Sequence, residues 1–255
     1  MTRPQDAPVT LVVGGSSNTG AAVVHRLHTD GHRILATHHQ HPDRAHALTT
    51  RLDPHQHHLA FTGADLTDPT VPERLVGEAL DRYGRLDTVV HCAAIIDTTP
   101  LDQLTADRFD AVLHTNVTAP FLILRAAADQ PTLRAAVTVS SIAATYTGPD
   151  SPAYEASKAA LAMLTRSLAA AYAPRIRINA VAPGTVETER SLADPTFPRR
   201  MLCEHIPLRR LAAPTDIASV IAFLLGGGAA YLTGQVITAD GGLSLHLTRP
   251  VRDPR

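Results

Sequence analysis

The chain has 255 residues, of which 44% are hydrophobic, and its formal net charge at pH 7 is −1. Arginine is mixed with aspartate and glutamate along the chain, which gives no basic face for nucleic acid and no polybasic arm for a membrane. No apolar run approaches the ~20 residues that span a bilayer, and the N-terminus lacks a signal-peptide pattern. Two cysteines are too few for a disulfide framework. We therefore expect a cytoplasmic protein with reduced thiols.

Apolar runs alternate with helical periodicity along the whole chain. The apolar runs that predict strands are residues 9–13, 34–37, 59–62, 86–90, 135–139, 176–181 and 235–239. Segments with apolar residues three and four positions apart lie between them and predict helices. This alternation predicts an α/β fold with a seven-stranded parallel sheet covered by helices on both faces. No repeat or linker divides the sequence, so we expect residues 1–255 to form a single domain.

A glycine-rich turn follows the first predicted strand. Gly14 and Gly20 bound the sequence Gly-Gly-Ser-Ser-Asn-Thr-Gly, and a helical pattern begins after it. Such a turn lets backbone N–H groups meet a pyrophosphate at the positive end of a helix. Asn18 stands where glycine is usual, and asparagine is the residue that best tolerates positive φ. On its own, the turn is equally compatible with a dinucleotide site and with a connection that binds nothing.

The only lysine in the sequence, Lys158, stands four residues after Tyr154. Residues four apart share a face of a helix, so both side chains can project into one cleft. An ammonium at ~4 to 5 Å would lower the pKa of the tyrosine into a useful range. Ser141 ends a predicted strand earlier in the chain, where its hydroxyl can hydrogen-bond a substrate oxygen. Taken singly, each of these residues could instead be structural.

Together these motifs resemble the short-chain dehydrogenase/reductase family from about Val9 to Gly242. The set comprises the turn from Gly14 to Gly20, Asp65-Leu66, Asn116, Ser140-Ser141, Tyr154-x-x-x-Lys158, Pro183-Gly184 with Thr188, and residues 233–242. The stretch from residue 206 to residue 242 looks most like the β-ketoacyl-carrier-protein reductase branch. The resemblance implies a Rossmann-type doubly wound sheet and an NAD(P)H-dependent oxidoreductase. Its reaction would reduce a ketone, such as a β-keto acyl, polyketide-like or other biosynthetic carbonyl, to a secondary alcohol.

The resemblance also implies a role for each catalytic residue. Tyr154 would be the general acid, and Ser141 would position the carbonyl. Lys158 would lower the tyrosine pKa and hold the nicotinamide ribose, while Asn116 would anchor a water-linked proton relay. The hydride would come from the cofactor. The predicted cofactor-binding residues are Gly14, Ser16, Ser17, Asn18, Thr19, His38, His39, Asp65, Leu66, Ala93, Tyr154, Lys158, Pro183, Gly184, Val186 and Thr188.

A second departure from the family pattern follows the fourth predicted strand. His91-Cys92-Ala93-Ala94 stands where Asn-Asn-Ala-Gly is usual. We expect this change to alter the hydrogen bonds that stabilise the sheet and to add a β-carbon beside the nicotinamide ribose.

The residues after the second predicted strand bear on the choice of cofactor. An acidic residue there would bind the ribose 2′-hydroxyl of NAD and repel a 2′-phosphate, and this chain has none. His38, His39 and His41 could instead donate hydrogen bonds to a phosphate. NADPH is therefore favoured over NADH, although these histidines could also be solvated loop residues. Adjacent loop histidines without cysteine or paired carboxylates are usually solvated, so we expect no metal.

The stretch 187–205 is expected to form a substrate lid that closes to exclude water. Its apolar surface would suit a small-molecule or carrier-bound β-keto thioester, with Arg199, Arg200, Arg209 and Arg210 available to an acidic carrier or forming only a solvated face. The predicted helix 154–172 is apolar around too much of its circumference to face solvent, which indicates a second subunit. We expect a homotetramer, or a dimer, and a frayed tail at 248–255.

Three functions are compatible with the sequence. The leading interpretation is an NADPH-dependent short-chain ketoreductase, and the second is an NAD-dependent alcohol dehydrogenase. The third is a nucleotide-sensing protein that keeps the fold without turnover. Intact Ser141, Tyr154 and Lys158 argue against the third, and His38 argues mildly against the second.

Overall fold

The computed structural model describes residues 7–147 and 151–245, and gives the backbone but not the side chain of Arg190. The predicted frayed tail at 248–255 lies outside the described residues. The strands are β1 Val9–Val13, β2 Arg33–His38, β3 Leu59–Gly63, β4 Thr88–His91, β5 Ala135–Val139, β6 Arg177–Pro183 and β7 Val236–Ala239. The helices are α1 Asn18–Thr29, α2 Pro42–Leu52, α3 Val71–Tyr83, α4 Ala106–Leu113, α5 Ala119–Ala128, α6 Pro152–Tyr172, α7 Glu189–Ala193, α8 Arg199–His205 and α9 Pro214–Leu225.

All seven strands join one parallel sheet in the order β3-β2-β1-β4-β5-β6-β7. The prediction of a seven-stranded, doubly wound parallel sheet is confirmed. The strand order reverses between β1 and β4, and at such a point the connections leave the sheet toward opposite faces and open a crevice. Every residue of β1 is buried, as expected for a strand that is covered on both sides.

Two apolar cores lie on opposite faces of the sheet. One includes Ile123 of α5 and Leu168 of α6, and the other includes Val24 of α1 and Ile221 of α9. These four side chains are at most 7% exposed, so each helix is anchored by apolar burial. The helices that begin beside the crevice, α1 and α6, are therefore fixed on different faces and meet at its edge.

The fourth strand begins later than its apolar run suggests. The run starts at Leu86, whereas β4 starts at Thr88. Asp87 intervenes, and its buried carboxylate accepts hydrogen bonds from Arg85 Nη2 at 2.6 Å and Arg134 Nη2 at 2.7 Å. A buried carboxylate requires such partners, so this position has a structural function at the start of the strand.

Helices α4 and α5 are joined without a break. A π-helical turn, His114–Thr118, connects α4 to α5 and carries the buried Asn116. Asn116 Oδ1 accepts a hydrogen bond from Ile95 N at 2.8 Å, and its Nδ2 donates to Ile95 O at 2.9 Å. The widened turn thereby fixes the loop that follows β4. Single π-turns inside α-helices frequently mark functional sites.

This continuous helical stretch, Ala106–Ala128, is long and apolar enough by length and mean hydropathy to cross a membrane. Half of its most apolar window is buried inside the fold. Because α5 packs against α3 and α4 packs against α6, this burial matches that of a core helix.

His91 ends β4 in an apolar interior. Its ring is 2% exposed, and its Nε2 has no hydrogen-bond partner among the described residues. Burial lowers the pKa of His91 to about 3, and the nearby ammonium of Lys158 acts in the same direction. The imidazole is therefore neutral in the folded protein at physiological pH.

We expect His91→Asn to make folding less sensitive to acid. Below pH ~6.5 an unfolded chain takes up a proton at His91 and the folded chain does not, so stability due to this group is lost as pH falls. The parent should lose up to about 1.4 kcal/mol per pH unit more than the variant between pH ~6 and ~4. Urea unfolding at several pH values measures this difference. His46→Asn, at an exposed position of α2, is the control, and parallel pH profiles for parent and His91→Asn would contradict the assignment.

Candidate active site

A cleft of about 690 Å³ opens at the carboxyl ends of the central strands. Its floor is the first turn of α1, one wall comes from α6, and the segment after β6 closes the other side. The described residues that line it are Gly14, Ser16, Ser17, Asn18, Thr19, His39, Gln40, His41, Cys92, Ala93, Ala94, Ile96, Val139, Ser140, Ser141, Tyr154, Lys158, Pro183, Gly184, Thr185, Val186, Thr188, Ser191 and Phe197.

The glycine-rich turn is fixed by close backbone packing. Gly14 has φ +81°, and a β-carbon on Gly20 would lie 2.1 Å from the Gly14 carbonyl oxygen. Ser17 caps α1, because its Oγ donates to Gly14 O at 2.8 Å and accepts from Gly20 N at 3.1 Å. The N-terminus of α1 therefore faces the cleft, where its free N–H groups and dipole favour an anion.

The conformational reason that the sequence suggests for Asn18 is wrong. Asn18 is the first residue of α1 and is not among the described residues with positive φ. Its side chain instead reaches toward the lid, where Oδ1 accepts a long hydrogen bond of 3.4 Å from Glu189 N. Asparagine at this position links the phosphate turn to α7, which glycine could not do.

A second cavity of about 320 Å³ adjoins the cleft beside the ends of β2 and β3. His38, Asp65 and Leu66 line it, and His39 lines both cavities. The Nδ1 atom of His38 is buried and has no hydrogen-bond partner among the described residues. Asp65 Oδ1 accepts hydrogen bonds from Thr67 N and Oγ1, which lower the pKa of this carboxyl group. The residues predicted for the adenosine end of a dinucleotide thus lie together.

Ser141 and Tyr154 meet in the cleft. Ser141 follows β5, Tyr154 lies in the first turn of α6, and both side chains line the cleft, close enough for the Ser141 hydroxyl group to act on the pKa of the phenol. Burial raises the pKa of Tyr154, while the hydroxyl group of Ser141 opposes that rise. The phenol is consequently protonated at neutral pH and can act as a proton donor.

Lys158 lies one turn further along α6 and is only 2% exposed. Its Nζ donates a hydrogen bond to Val139 O at 2.8 Å and lies 5.5 Å from the centre of the Tyr154 ring. Burial lowers the pKa of Lys158 to about 8, and Cys92 slightly opposes this effect. The side chain is a buried cation beside the tyrosine, and the alternative of a surface charge is wrong.

The expected effect of Lys158 on Tyr154 is not found in this structure. The causes that shift the tyrosine pKa are burial, which raises it, and the Ser141 hydrogen bond, which lowers it. The ammonium donates a hydrogen bond to the Val139 carbonyl, and its charge is not among the causes that shift the tyrosine pKa. Burial raises the pKa of Tyr154, so the expectation of a lowered tyrosine pKa is corrected.

Asn116 lies behind the cleft and is not among the described residues that line either cavity. Its Nδ2 also donates to Ser157 Oγ at 2.9 Å, and Ser157 Oγ donates to Tyr154 O at 2.6 Å. Asn116 thus connects the π-turn to α6 and is 1% exposed. Its structural contacts are clear, and its predicted part in a proton relay stays a prediction.

The remaining predicted residues border the opposite end of the cleft. Pro183, Gly184, Val186 and Thr188 line it after β6. Thr188 N donates to Ser191 Oγ at 2.8 Å, which holds the start of α7 against this segment.

The departure after β4 leaves small side chains at the cleft wall. Cys92, Ala93 and Ala94 line the cleft, so the additional β-carbon of Ala94 lies at its surface. Burial raises the pKa of Cys92 to about 12, so the thiol is neutral. Within residues 7–147 and 151–245, no group of three or more His, Cys, Asp or Glu is placed to hold a metal ion.

The described residues fit a nicotinamide dinucleotide. The fit rests on the first turn of α1, which faces the cleft without an acidic residue, and on the buried Lys158 at the other end. An anion at the helix terminus and a polyhydroxylated ribose beside the cation are the groups that this distribution favours.

The comparisons with known proteins agree with this geometry. A family model described as enoyl-(acyl carrier protein) reductase matches residues 14–244. The 3-oxoacyl-[acyl-carrier-protein] reductase FabG of Thermotoga maritima is 30% identical over 248 residues, which cover 93% of this chain and 98% of the relative. The chain belongs to the short-chain dehydrogenase/reductase family.

Other members give the same assignment. Acetoacetyl-CoA reductase of Allochromatium vinosum is 30% identical over 247 residues, covering 94% of this chain and 100% of the relative. The crystal structure of a dehydrogenase/reductase from Sinorhizobium meliloti superimposes with a TM-score of 0.87 at 33% identity, covering 92% of this chain and 94% of that one. The family is one of oxidoreductases that use nicotinamide cofactors, and the relatives named here place this chain near the ketoacyl reductases.

Sequence reasoning missed several residues of the cleft. Val139 contributes through its carbonyl oxygen, for which a sequence carries no signal. Ile96 follows the altered motif and was not expected to face the cleft, whereas Phe197 belongs to the predicted apolar lid and does line the cleft. An apolar residue directly after a motif at the end of a strand is the signal that could have identified Ile96.

The single lysine permits a direct test of its environment. Protein labelled with ¹³C at lysine Cε should give one side-chain signal whose chemical shift changes with a midpoint near pH 8, because burial disfavours the ammonium. The same signal in urea should titrate near pH ~10.4 and serves as the control. A midpoint near that of the unfolded chain would show that Lys158 is solvated.

Proposed function

We propose that this chain is an NADPH-dependent ketoreductase that converts a ketone to a secondary alcohol. A β-keto acyl, polyketide-like or other biosynthetic carbonyl is the substrate class that the resemblance supports. The observation that carries the proposal is the Ser141–Tyr154 hydroxyl pair beside the buried Lys158, in the same cleft as the N-terminus of α1. The residues for cofactor binding and for proton transfer therefore line one cavity.

Ser141 and Tyr154 act on the carbonyl oxygen of the substrate. Both side chains line the same cleft, where a carbonyl oxygen held between them would accept hydrogen bonds from both hydroxyl groups as it gains negative charge. Tyr154 then transfers its proton to that oxygen. A phenol whose pKa is raised by burial is kept in the donor form that reduction requires.

Lys158 and Asn116 support this transfer. The ammonium lies 5.5 Å from the Tyr154 ring and would stabilise the phenolate left by the proton. Asn116 fixes the Ile95 backbone and the Ser157 hydroxyl behind the tyrosine, where we place the anchor of a water-linked path that returns the proton.

The cofactor would lie along the cleft and its adjoining cavity. Residues 14–20 with α1 would hold the pyrophosphate, Asp65 and Leu66 the adenine, and Val186 and Thr188 the carboxamide. Bound nicotinamide supplies the hydride. NADPH is favoured because His38 and His39 line the cavity at the adenosine end and no acidic residue ends β2.

We also propose that the enzyme is a cytoplasmic homotetramer with one domain per subunit. The support is the exposed apolar surface of the chain, since Met163 of α6 is 57% exposed and Phe223 of α9 is 50% exposed. Apolar side chains at such exposure on two core helices favour burial against further copies.

Tyr154→Phe should abolish most of the reductase activity and retain cofactor binding. The change removes the proton donor and leaves the ring, so kcat/KM for carbonyl reduction should fall by ~10²- to 10⁴-fold. Oxidation of NADPH measured at saturating cofactor gives the rate, and nucleotide fluorescence gives the affinity. Tyr172→Phe at the far end of α6 is the matched control and should keep parental activity. Turnover by Tyr154→Phe at the parental rate would contradict the mechanism.

We expect kcat/KM with NADPH to exceed that with NADH by more than about tenfold, which corresponds to about 1.4 kcal/mol. His38→Ala and His39→Ala should each lower the ratio, because each weakens the binding of NADPH. His46→Ala, at an exposed position of α2, is the control. A parental preference for NADH, or a ratio that neither His38→Ala nor His39→Ala changes, would refute the assignment.

A further inference from the structure

The lid and the residues that follow it carry equal numbers of basic and acidic side chains. This lid region, residues 187–216, contains five arginines and five carboxylates. Arg200 Nε donates to Glu204 Oε1 at 2.9 Å, and the guanidinium of Arg209 donates to Glu204 O at 2.8 Å. These two arginines were predicted to be available to an acidic carrier, and both are engaged within the lid.

The other two arginines of that prediction are also paired with carboxylates. Arg199 forms an ion pair with Glu187, and Arg210 donates to both carboxylate oxygens of Asp216 at 2.5 and 3.1 Å. Three of the four guanidinium groups are therefore paired with carboxylates, and that of Arg209 donates to a backbone oxygen. An acidic partner gains little from the three paired arginines, because attraction to each is offset by repulsion from its carboxylate.

Apart from the histidines that follow β2, the described lining of the cleft offers no free charge to a substrate. Among its described lining residues there is no arginine, aspartate or glutamate, and the one lysine is buried against the Val139 carbonyl. Ile96 and Phe197 contribute apolar surface near the reacting hydroxyl groups. A carboxylate or phosphate on the substrate would therefore be desolvated without a partner of opposite charge.

Apolar surface continues outside the cleft. Ile96 is 69% exposed, and Leu192 of α7 and Met201 of α8 are 61% and 52% exposed, on either side of Phe197 in the chain. Large exposed apolar side chains in the lining of a cavity and in the adjoining lid favour an apolar ligand.

We propose that the substrate is a free, uncharged and largely apolar ketone, and that an acidic carrier contributes nothing to its recognition. This inference rests on the proposed function and narrows its substrate class. It separates the chain from the carrier-dependent reaction named for its relative FabG, although the catalytic residues are arranged for the same reduction.

Four forms of one acyl chain test the inference. They are the 3-oxohexanoate anion, its ethyl ester, its N-acetylcysteamine thioester and the same acyl group on a purified acyl carrier protein. With NADPH in excess, kcat/KM for the ester should exceed that for the anion by about tenfold or more, since the carboxylate lacks a partner. The carrier-linked substrate should show no gain over the neutral thioester.

Two variants test whether the charge at the cleft and the lid arginines determine this preference among the four substrates. Ile96→Arg places a cation at the exposed mouth of the cleft and should raise the anion-to-ester ratio of kcat/KM by about fivefold or more. Arg200→Ala removes a guanidinium that is 94% exposed on the lid and should leave all four values unchanged. Loss of activity only with the carrier-linked substrate in Arg200→Ala would instead identify a carrier-docking arginine.

The outcomes distinguish this inference from the proposed function. A preference of more than about tenfold for the carrier-linked form, or for the anion over the ester, would overturn the inference and leave the ketoreductase assignment intact. Binding of NADPH without reduction of any of the four substrates, or of a wider panel of ketones and quinones, would overturn both.

Discussion

The site depends on a cation held inside the protein. Lys158 is almost completely buried, and the carbonyl oxygen of Val139 at the end of β5 is the acceptor of its hydrogen bond. Burying an ammonium is unfavourable unless a polar partner replaces water, and the lowered pKa of Lys158, about 8, reflects that cost. One backbone oxygen of the sheet thus allows α6 to place a positive charge in the cleft.

Burial acts on the two neighbouring titratable groups in the way that reduction needs. It raises the pKa of Tyr154, so the phenol keeps its proton until a carbonyl oxygen acquires negative charge. It lowers the pKa of Lys158, yet at pH 7 the ammonium remains the major form. A protonated donor and a nearby cation are therefore present together, and their environment assigns the roles of acid and supporting charge.

The sequence predicted the elements that depend on local pattern. Buried parallel strands are short apolar runs, so all seven were found, and the residues at their carboxyl ends fall on one edge of the sheet by topology. This explains why every predicted cofactor residue borders one of the two cavities. The position of Asn116 was not predictable in the same way. Asn116 lies in a π-turn that apolar spacing does not reveal, and this turn places its side chain behind the cleft.

Features that depend on long-range contacts were not predictable. The pKa of Tyr154 depends on how much protein covers the phenol and on where the ammonium of Lys158 is directed, and spacing on a helix fixes neither. The charge pairs of the lid, in contrast, are partly predictable from the sequence. Arg200 and Glu204 are four residues apart, which is the spacing of an ion pair on a helix. The sequence alone therefore indicates that the charge of this arginine is neutralised.

The charge of the substrate also bears on the role of Lys158. A substrate carboxylate in the cleft would attract the ammonium and compete with the Val139 carbonyl for it. It would also bring water that weakens the hydrogen bonds to the reacting oxygen. An uncharged ketone leaves the ammonium beside the phenol, where its charge is available to the phenolate that forms when Tyr154 gives up its proton.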